Sequence, residues 1–238
     1  MTRARTLRIK VFADGADLDG ILELARDPKI AGFTTNPTLM RQSGVTDYEG
    51  FSRKVLEHVP DRPLSLEVFA DEPAEMARQA RLIAGWGENV YVKIPVTDTD
   101  GRSCGPLIRE LSAEGLRLNV TALLSLEQVA TVAEALAPSR GAIVSVFAGR
   151  VADTGRDPVP LMRDALGILA PNPSLELLWA SPREILNVVQ ADEIGCHIIT
   201  VTHALLAKLA GLGRGLDEVS LDTVRMFHDD ARHSGFLL

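Results

Sequence analysis

The sequence is poor in cysteine and in aromatic residues, and it contains no long apolar run. Its 238 residues include two cysteines, Cys104 and Cys196, which are too few and too far apart for a disulfide framework or a cysteine-rich metal site. No apolar stretch approaches the roughly 18 residues of a membrane span, and none follows the basic residues 1–6 as a secretory signal requires. These absences predict a cytoplasmic protein with no membrane partner.

Net charge and composition limit the possible partners and the fold class of the protein. The net charge of -7 disfavours nucleic acid as a partner, although an acidic chain can still carry a local basic pocket for a phosphate. Hydrophobic residues make up 46% of the chain and aromatic residues only 5%, so Ala, Leu and Val supply most of the core, as in helices packed on parallel strands. A chain of this length fits one α/β barrel, one doubly wound domain or two small domains.

Short runs of β-forming residues begin about every 20 to 35 residues, the length of one strand, one helix and two loops. We predict eight strands, at Arg8–Ala13, Ile30–Thr34, Leu64–Phe69, Val90–Ile94, Leu116–Val120, Ala142–Val146, Leu175–Ala180 and His197–Val201. The segments between them carry apolar residues at helical spacing, as in Pro73–Trp86 and Leu126–Ala137. Eight units of similar size favour a closed (β/α)8 barrel, a TIM barrel, over an open doubly wound sheet.

Several predicted helices carry clear start signals. Ser125 and Ser181 are candidate N-caps, and Pro158 and Pro182 suit the first turn of a helix.

The C-terminal part of the chain exceeds what the barrel needs. A short helix is predicted at Ala204–Leu209, the glycines of Gly211–Gly215 break it, and Leu221–His233 predicts one more helix. We therefore predict a single barrel domain over residues 1–238, in which residues 211–238 form an extension that covers the barrel mouth or bridges subunits. The second possibility predicts a homo-oligomer.

Polar residues end or follow seven of the eight predicted strands. In a (β/α)8 barrel the active site lies at the carboxyl ends of the strands, and an apolar core needs no polar groups there. The candidate site residues are therefore Asp14, Asn36, Glu67, Lys93, Asn119, Thr121, Ser145, Phe147, Arg150, Ser181 and Arg183.

Lys93 is the most informative of these residues, because strand-forming apolar residues flank it on both sides. Burying an ammonium group costs several kcal/mol, so burial favours the neutral amine. A neutral amine is the nucleophile that attacks a carbonyl to form a Schiff base. The alternative is a strand-end lysine that extends its amine to solvent, and the polar residues on the other strands favour the first interpretation.

The carboxylates and amides allow more than one role. Asp14 or Glu67 could move protons during imine chemistry, or both could act only as counter-ions of the lysine. Asn36 and Asn119 could orient sugar hydroxyls, although Asn36 before Pro37 also suits a turn cap.

The arginines point to an anion site. Arg150 and Arg183 could hold a phosphate through forked hydrogen bonds, or they could form surface ion pairs with acidic neighbours such as Asp153. Ser181 is expected at a helix N-terminus, where free N–H groups favour anions.

Six segments, taken in order along the chain, resemble those of the transaldolase family: Thr34–Pro37, Ser65–Val68, Val92–Pro95, Asn119–Ser125, Ser145–Arg150 and Ala180–Arg183. The resemblance covers the chain from about Val11 to about Thr202. The resemblance implies a Schiff-base barrel enzyme that transfers a dihydroxyacetone unit between sugar phosphates in the pentose phosphate pathway. It also implies that no metal ion and no organic cofactor takes part.

The resemblance assigns a role to each matching residue. Lys93 resembles the imine-forming lysine, and Asp14 resembles the acid/base that deprotonates the C4 hydroxyl. Glu67 and Thr121 resemble the pair that holds a water for proton transfer. The groups that bind the dihydroxyacetone hydroxyls are matched by Asn36, Asn119 and Ser145, and the aromatic residue beside the imine is matched by Phe147. The phosphate site is matched by Arg150, Ser181 and Arg183.

Two residues distinguish this chain from a close subgroup, the fructose-6-phosphate aldolases. That subgroup usually carries Gln where this chain has Glu67 and Tyr where it has Phe147, so both residues favour transfer over simple cleavage. Pro182 departs from the larger transaldolases, which carry an aromatic residue between the positions of Ser181 and Arg183. This departure leaves the acceptor open among C3, C4 and C5 aldose phosphates.

Three other functions are compatible with the same residues. The first is an aldolase that releases free dihydroxyacetone. The second is a phosphosugar isomerase or epimerase, with Asp14 and Glu67 as bases and Lys93 as an electrostatic clamp. The third is a non-catalytic sugar-phosphate-binding protein. Borohydride reduction separates the Schiff-base enzymes, which give a covalent adduct, from the other two.

Overall fold

Eight parallel strands form a closed barrel in a computed structural model that describes residues 7–137, 139 and 141–235. The strands are β1 Lys10–Asp14, β2 Ile30–Thr34, β3 Leu64–Glu67, β4 Val90–Pro95, β5 Leu118–Leu123, β6 Ala142–Val146, β7 Leu175–Trp179 and β8 Ile198–Thr202. Each strand pairs with the next along the chain, and β8 pairs with β1. The predicted (β/α)8 barrel is thus confirmed, and the open sheet is wrong.

The helices cover the outside of the barrel and fill its connections. They are α1 Leu18–Leu24, α2 Pro37–Gln42, α3 Tyr48–His58, α4 Pro73–Ala84, α5 Gly105–Ala113, α6 Leu126–Ala135, α7 Ala148–Asp153, α8 Pro158–Leu169, α9 Ile185–Glu193, α10 His203–Lys208 and α11 Leu216–Ser234, with a 3-10 turn at Leu209–Gly211. Two predicted starts are confirmed. The Ser125 hydroxyl caps α6 by accepting from the Gln128 N–H, and Pro158 occupies the first turn of α8.

The predicted start of α9 is wrong. That helix begins at Ile185 with Glu184 as its N-cap, so neither Ser181 nor Pro182 lies in its first turn. Ser181 instead adopts a φ of 59°, in the left-handed region, whereas an N-cap residue typically has an extended backbone. The Asn187 side chain accepts hydrogen bonds from the N–H groups of Arg183 and Glu184 and so defines the true start.

Some strand and helix ends differ from the predicted bounds. β3 ends at Glu67 rather than Phe69, whose side chain is 54% exposed beyond the strand. β5 runs on to Leu123, past an irregularity in its pairing with β6 where Ala122 has a φ of 65°. α11 begins five positions before the predicted Leu221, directly after the glycine-rich break.

The barrel interior is layered. Its floor is formed by Phe12, Ile143, Leu178 and Ile198, which belong to one buried apolar cluster together with Ala180. Side chains two positions further along the same strands point to the same face, and these are Asp14, Ser145, Ala180 and Thr200. These positions place Asp14, Ser145 and Thr200 further toward the carboxyl ends of the strands than the floor residues that precede them.

A close approach inside the barrel depends on a missing side chain. A Cβ on Gly32 would lie 2.6 Å from the Phe12 ring, so only glycine leaves space for that ring next to β2. Phe12 is 1% exposed and forms part of the floor. The Gly32 position therefore supports the layer that carries the polar residues.

The C-terminal helix stands apart from the core. No side chain of α11, which the structure describes in full, is buried, and Phe227 is 64% exposed. Residues 236–238 of the predicted extension, and residues 1–6 of the predicted domain, where we expect no secretory signal, lie outside the described residues. In the part of the chain that is described, no helix combines the length and apolar character needed to cross a membrane.

Candidate active site

A cavity of about 610 Å3 opens at the carboxyl ends of the strands. All eleven residues predicted from the sequence line it, namely Asp14, Asn36, Glu67, Lys93, Asn119, Thr121, Ser145, Phe147, Arg150, Ser181 and Arg183. They come from different strands and from the loops that follow those strands. Strand register explains the inner part of the set, because Glu67 is paired with Lys93 and Lys93 with Asn119 across neighbouring strands.

The Lys93 amine lies inside the barrel. Lys93 is 7% exposed, and its Nζ donates a hydrogen bond to the Thr35 carbonyl oxygen at 2.8 Å. The same Nζ lies 2.9 Å from Oε2 of Glu67. A lysine that extends to bulk solvent would show neither contact, so the geometry matches a buried amine with a carboxylate positioned to exchange a proton with it.

Asp14 faces the same cavity from β1. Its Oδ1 accepts a hydrogen bond from the Thr34 hydroxyl at 2.8 Å, and the Thr34 and Thr200 hydroxyls are hydrogen-bonded to each other. Burial raises the pKa of Asp14 above its usual 3.8, against the opposing effects of the Lys93 charge and the Thr34 hydrogen bond. The raised pKa makes this carboxyl bind a proton more readily than a free carboxyl does, which suits a group that must take and return a proton.

A chain of hydrogen bonds crosses the barrel beside the lysine. The Asn119 amide donates to the Ser65 hydroxyl at 3.0 Å, and the Ser145 hydroxyl donates to the Asn119 carbonyl oxygen at 2.6 Å. Asn119 is fully buried, so its side chain is held in one orientation. A ligand hydroxyl entering here would meet preoriented donors and acceptors.

Thr121 has a hydroxyl group whose hydrogen-bonding capacity is unused. Its Oγ1 is buried and has no hydrogen-bond partner among the residues that the structure describes. Buried hydroxyls without partners are rare in folded proteins and mark places where water or a ligand binds. Glu67 lines the same cavity, which is the arrangement needed for the two residues to share a water.

The two arginines lie at the rim of the cavity and make different contacts. Arg150 lies over the Phe147 ring, with its Cζ 5.5 Å from the ring centroid. Arg183 is hydrogen-bonded through both Nε and Nη2 to the Asp153 carboxylate. The ion-pair alternative left open by the sequence therefore describes Arg183 in this structure, while its side chain still lines the cavity.

The Ser181 loop is shaped by its neighbour on α7. A Cβ on Gly149 would lie 1.5 Å from the Ser181 carbonyl oxygen, so the two backbones are in direct contact. The Gly149 N–H donates to the Ala180 carbonyl oxygen at 3.3 Å. This contact and the left-handed conformation of Ser181 direct the loop over the cavity, without a helix N-terminus at Ser181.

Asn36 combines two roles. Its side-chain oxygen caps α2 by accepting from the Leu39 N–H at 3.0 Å, as the turn-cap alternative predicts. The residue nevertheless lines the cavity, since α2 starts at its mouth. Capping fixes the orientation of the amide relative to the lysine.

Four residues near the site were assigned no role from the sequence. Thr34 and Thr200 orient Asp14, the Tyr48 hydroxyl donates to the Glu67 carbonyl oxygen at 3.0 Å, and His203 follows β8 directly. Thr200 follows the floor residue Ile198 by two positions, so strand alternation was the signal that could have identified it. The contacts of Tyr48 and His203 depend on tertiary packing and have no local signal.

The two thiols and the possible metal-ligand side chains were compared with what cysteine and metal chemistry require, within the described ranges. Burial raises the pKa of Cys104 to about 11 and that of Cys196 to about 12, so neither provides a thiolate at neutral pH. No group of three or more His, Cys, Asp and Glu side chains within those ranges is placed to hold a metal ion.

A closed barrel whose mouth gathers a buried amine, two carboxylates and two guanidinium groups has the architecture of a (β/α)8-barrel enzyme. The family model for Transaldolase/Fructose-6-phosphate aldolase matches residues 11–237. The chain belongs to this family, and with it to the transferase enzymes.

Curated relatives agree with this assignment. The chain is 36% identical over 202 residues to a "Probable transaldolase" of Dehalococcoides mccartyi, a match covering 84% of this chain and 90% of the relative. It is 34% identical over 203 residues to "Probable transaldolase 2" of Listeria monocytogenes, covering 84% and 88% of the two chains.

Solved structures support the fold alone. KGPDC from Streptococcus mutans, in complex with D-R5P, superposes with a TM-score of 0.55 at 10% identity, covering 83% of this chain and 88% of that one. A mandelate oxidase mutant superposes with a TM-score of 0.56 at 16% identity, covering 86% and 68%. Both likenesses confirm the barrel architecture and carry no information on the reaction.

Proposed function

We propose that the protein is a transaldolase that transfers a dihydroxyacetone unit from fructose 6-phosphate or sedoheptulose 7-phosphate to an aldose phosphate, through a Schiff base on Lys93. The observation that carries the proposal is the buried Lys93 amine, which lies 2.9 Å from the Glu67 carboxylate inside the cavity. The family membership of the chain supports the reaction class.

Imine formation requires a neutral amine. The Glu67 carboxylate accepts a proton from the Lys93 ammonium, and the amine then attacks the C2 carbonyl of the ketose. The resulting carbinolamine loses its hydroxyl as water when Glu67 returns the proton. A water held between Glu67 and the unpaired Thr121 hydroxyl would relay these transfers.

Carbon–carbon cleavage follows at Asp14. Its carboxylate removes the C4 hydroxyl proton, C4 becomes an aldehyde, and the C3–C4 bond electrons move to the protonated imine, which becomes an enamine. The aldose phosphate departs while three carbons remain on Lys93. In the second half-reaction the enamine attacks the acceptor aldehyde, Asp14 returns its proton to the new hydroxyl, and water releases the product.

Substrate positioning is proposed for the remaining residues. We expect the hydroxyls of the three-carbon unit to bind to Asn36, Asn119 and Ser145. The Phe147 ring is expected to line the pocket beside them. The phosphate is expected at the rim, held by Arg150, with Ser181 and Arg183 as the further contacts that line the cavity there.

Borohydride trapping tests the mechanism directly. Reduction in the presence of fructose 6-phosphate should add a three-carbon unit to Lys93, detected by mass spectrometry of the digested protein. Lys10→Ala is the matched control, because Lys10 is an exposed β1 lysine that also pairs with a glutamate, Glu176, at 2.7 Å. The Lys10 variant should label fully and Lys93→Ala not at all. Equal labelling in Lys93→Ala contradicts the mechanism.

Release of free dihydroxyacetone is the second candidate, because the description of the family includes fructose-6-phosphate aldolases. Measuring dihydroxyacetone with and without erythrose 4-phosphate separates the two activities. A transferase forms a new ketose phosphate with the acceptor and releases little dihydroxyacetone in its absence. An isomerase or epimerase would give no adduct in the trapping experiment.

We also propose that the chain forms a homo-oligomer through α11. Val219, Met226 and Phe227 share one side of that helix and are exposed in the single chain. A second copy is the occupant that we expect, because it would supply an equal apolar stripe and bury both at once. Cytoplasmic location, the pentose phosphate pathway and the division into one domain with an extension stay predictions.

A further inference from the structure

The Arg183 guanidinium group is held by a carboxylate but keeps donors that the carboxylate does not use. Its Nε donates to Oδ1 of Asp153 at 3.0 Å, and its Nη2 donates to Oδ2 of the same carboxylate. A guanidinium group carries five N–H donors in a fixed plane, so this fork uses two of them and leaves three for another acceptor. Arg183 can therefore stay paired with Asp153 and bind an anion at the same time.

The carboxylate that holds Arg183 lies outside the cavity. Arg183 lines the cavity, whereas Asp153, the last residue of α7, is not among the described residues that line it. A carboxylate inside a phosphate site would repel the substrate, because like charges at close range disfavour each other. Asp153 therefore holds the arginine without taking the place of the phosphate.

Helix α7 provides the surface on which the guanidinium group lies. Gly149 and Asp153 are four positions apart on that helix, so they share one face. A Cβ on Gly149 would lie 3.3 Å from Nε of Arg183, so the guanidinium group passes close over this face. The Arg183 backbone is fixed as well, because its N–H donates to Oδ1 of Asn187 at 2.8 Å. The arginine is thus held at its backbone and at its guanidinium group.

The other arginine of the rim comes from the same helix. Arg150 lies in α7 and stacks over the ring of Phe147, the N-cap of that helix. This short helix therefore orients both guanidinium groups at the place where we expect the phosphate. Ordering a long side chain on binding costs free energy, and a side chain that is already ordered avoids that cost.

Fold stability does not account for the pair of Arg183 and Asp153. Their side chains are 48% and 52% exposed, and exposed ion pairs contribute little to the free energy of unfolding. The location of the pair, beside Arg150 at the rim of the cavity, points to substrate binding instead.

We infer that Asp153 is a positioning residue of the phosphate site: its carboxylate holds the Arg183 guanidinium group at the rim, so that the remaining N–H donors select phosphorylated aldoses over unphosphorylated ones. The inference rests on the proposed function and deepens it, because it concerns the acceptor that the same site takes.

The test is the ratio of kcat/KM for erythrose 4-phosphate to kcat/KM for erythrose, each used as acceptor with fructose 6-phosphate as donor. The two acceptors differ in the phosphate, so the ratio measures recognition of that group. Asp153→Ala should lower the ratio about fivefold through a higher KM for erythrose 4-phosphate, which is less than the loss of a whole charged hydrogen bond. In an Arg183→Ala background the same change should leave the ratio where Arg183→Ala alone puts it, because the group through which Asp153 acts is gone.

Glu114→Ala is the matched control. Glu114 forms a similar fork with Arg81, whose Nε and Nη2 donate to it at 2.8 and 2.6 Å, and neither residue is among the described residues that line the cavity. Its ratio should equal that of the wild type. Thermal unfolding of both single variants should stay close to the wild type, because both pairs are exposed.

An unchanged ratio in Asp153→Ala overturns the inference, with or without a lower Tm, which a merely structural role would produce. A raised ratio overturns it as well, because it would show that the carboxylate competes with the phosphate. An equal fall in the Arg183→Ala background would show that Asp153 does not act through Arg183.

Borohydride trapping of dihydroxyacetone separates these failures from failure of the proposed function, because that molecule carries no phosphate. Wild-type protein without an adduct contradicts the Schiff base, and the inference with it. An adduct combined with an unchanged ratio contradicts only the role of Asp153.

Discussion

The buried pair of Lys93 and Glu67 should serve the reaction and contribute little to the free energy of unfolding. Taking two charges out of water costs several kcal/mol per ion, and their mutual attraction often only balances that cost. The side chains of Lys93 and Glu67 are 8% and 20% exposed, so both charges are largely removed from solvent. Neutral side chains of similar size should therefore fold equally well in the same positions.

The magnitude can be worked from the contacts. Lys93→Met leaves the Glu67 carboxylate unpaired, at a cost of about 2–3 kcal/mol, which is below the fully buried range because Glu67 is partly exposed. It also removes the hydrogen bond to the Thr35 carbonyl oxygen, at about 1 kcal/mol. The single variant should thus lose about 3–4 kcal/mol. The double variant with Glu67→Gln should lose only about 1 kcal/mol, since no unpaired charge remains.

Urea unfolding followed by tryptophan fluorescence measures these differences, because Trp179 is fully buried in β7 and reports on the barrel core. Lys10→Met is the control, since it breaks an exposed lysine–glutamate pair that should contribute less than about 1 kcal/mol. Both Lys93 variants should be inactive. A double variant as unstable as Lys93→Met alone would refute the reasoning, because it would show that the charges themselves stabilise the fold.

Other parts of the mouth and the terminal helix are open to single experiments. Asp14→Asn should abolish transfer and raise the urea midpoint at pH 7. The pKa of Asp14 is raised in the folded protein, so the free energy of unfolding falls as pH rises above 3.8 and through the folded pKa. An unchanged or lower midpoint contradicts this expectation. Gly149→Ala should lower Tm and raise KM for sugar phosphates, since its Cβ collides with the Ser181 carbonyl oxygen; a wild-type Tm argues against that contact. Arg150→Ala should raise KM for fructose 6-phosphate about tenfold, which corresponds to loss of a charged hydrogen bond, while trapping of dihydroxyacetone stays normal; equal losses for both place the phosphate elsewhere. Deleting residues 216–238 should reduce the mass measured by light scattering to that of one chain, and an unchanged oligomer rules out α11 as the contact.

The barrel and the location of its site were accessible from the sequence because both depend on local patterns. Runs of β-branched and aliphatic residues such as Ala142–Val146 identify strands, and polar residues at their ends identify the mouth. Lys93 stands out because a lysine within an apolar strand contradicts its surroundings. The resemblance to transaldolases added roles that neither pattern supplies.

What the sequence could not provide depends on contacts between distant segments. Ser181 before a proline has the local signature of a helix cap, but in the fold its backbone contacts Gly149 and the helix starts three positions further on. Arg183 has acidic neighbours at several distances, and only the fold selects Asp153. The His203 ring packs against two glycines, Gly15 directly after β1 and Gly20 in α1, which no spacing rule connects.

The hydrogen bond between Thr34 and Thr200 has a consequence for biosynthesis. It joins the second strand to the last one across β1, so the orientation of Asp14 depends on a segment that the ribosome delivers near the end of translation. A nascent chain released before β8 would already contain the amine, its glutamate and the Thr34 donor to Asp14, but it would lack the Thr200 hydroxyl that bonds to Thr34. The full hydrogen-bond network around Asp14 should therefore form only when the ring of strands closes.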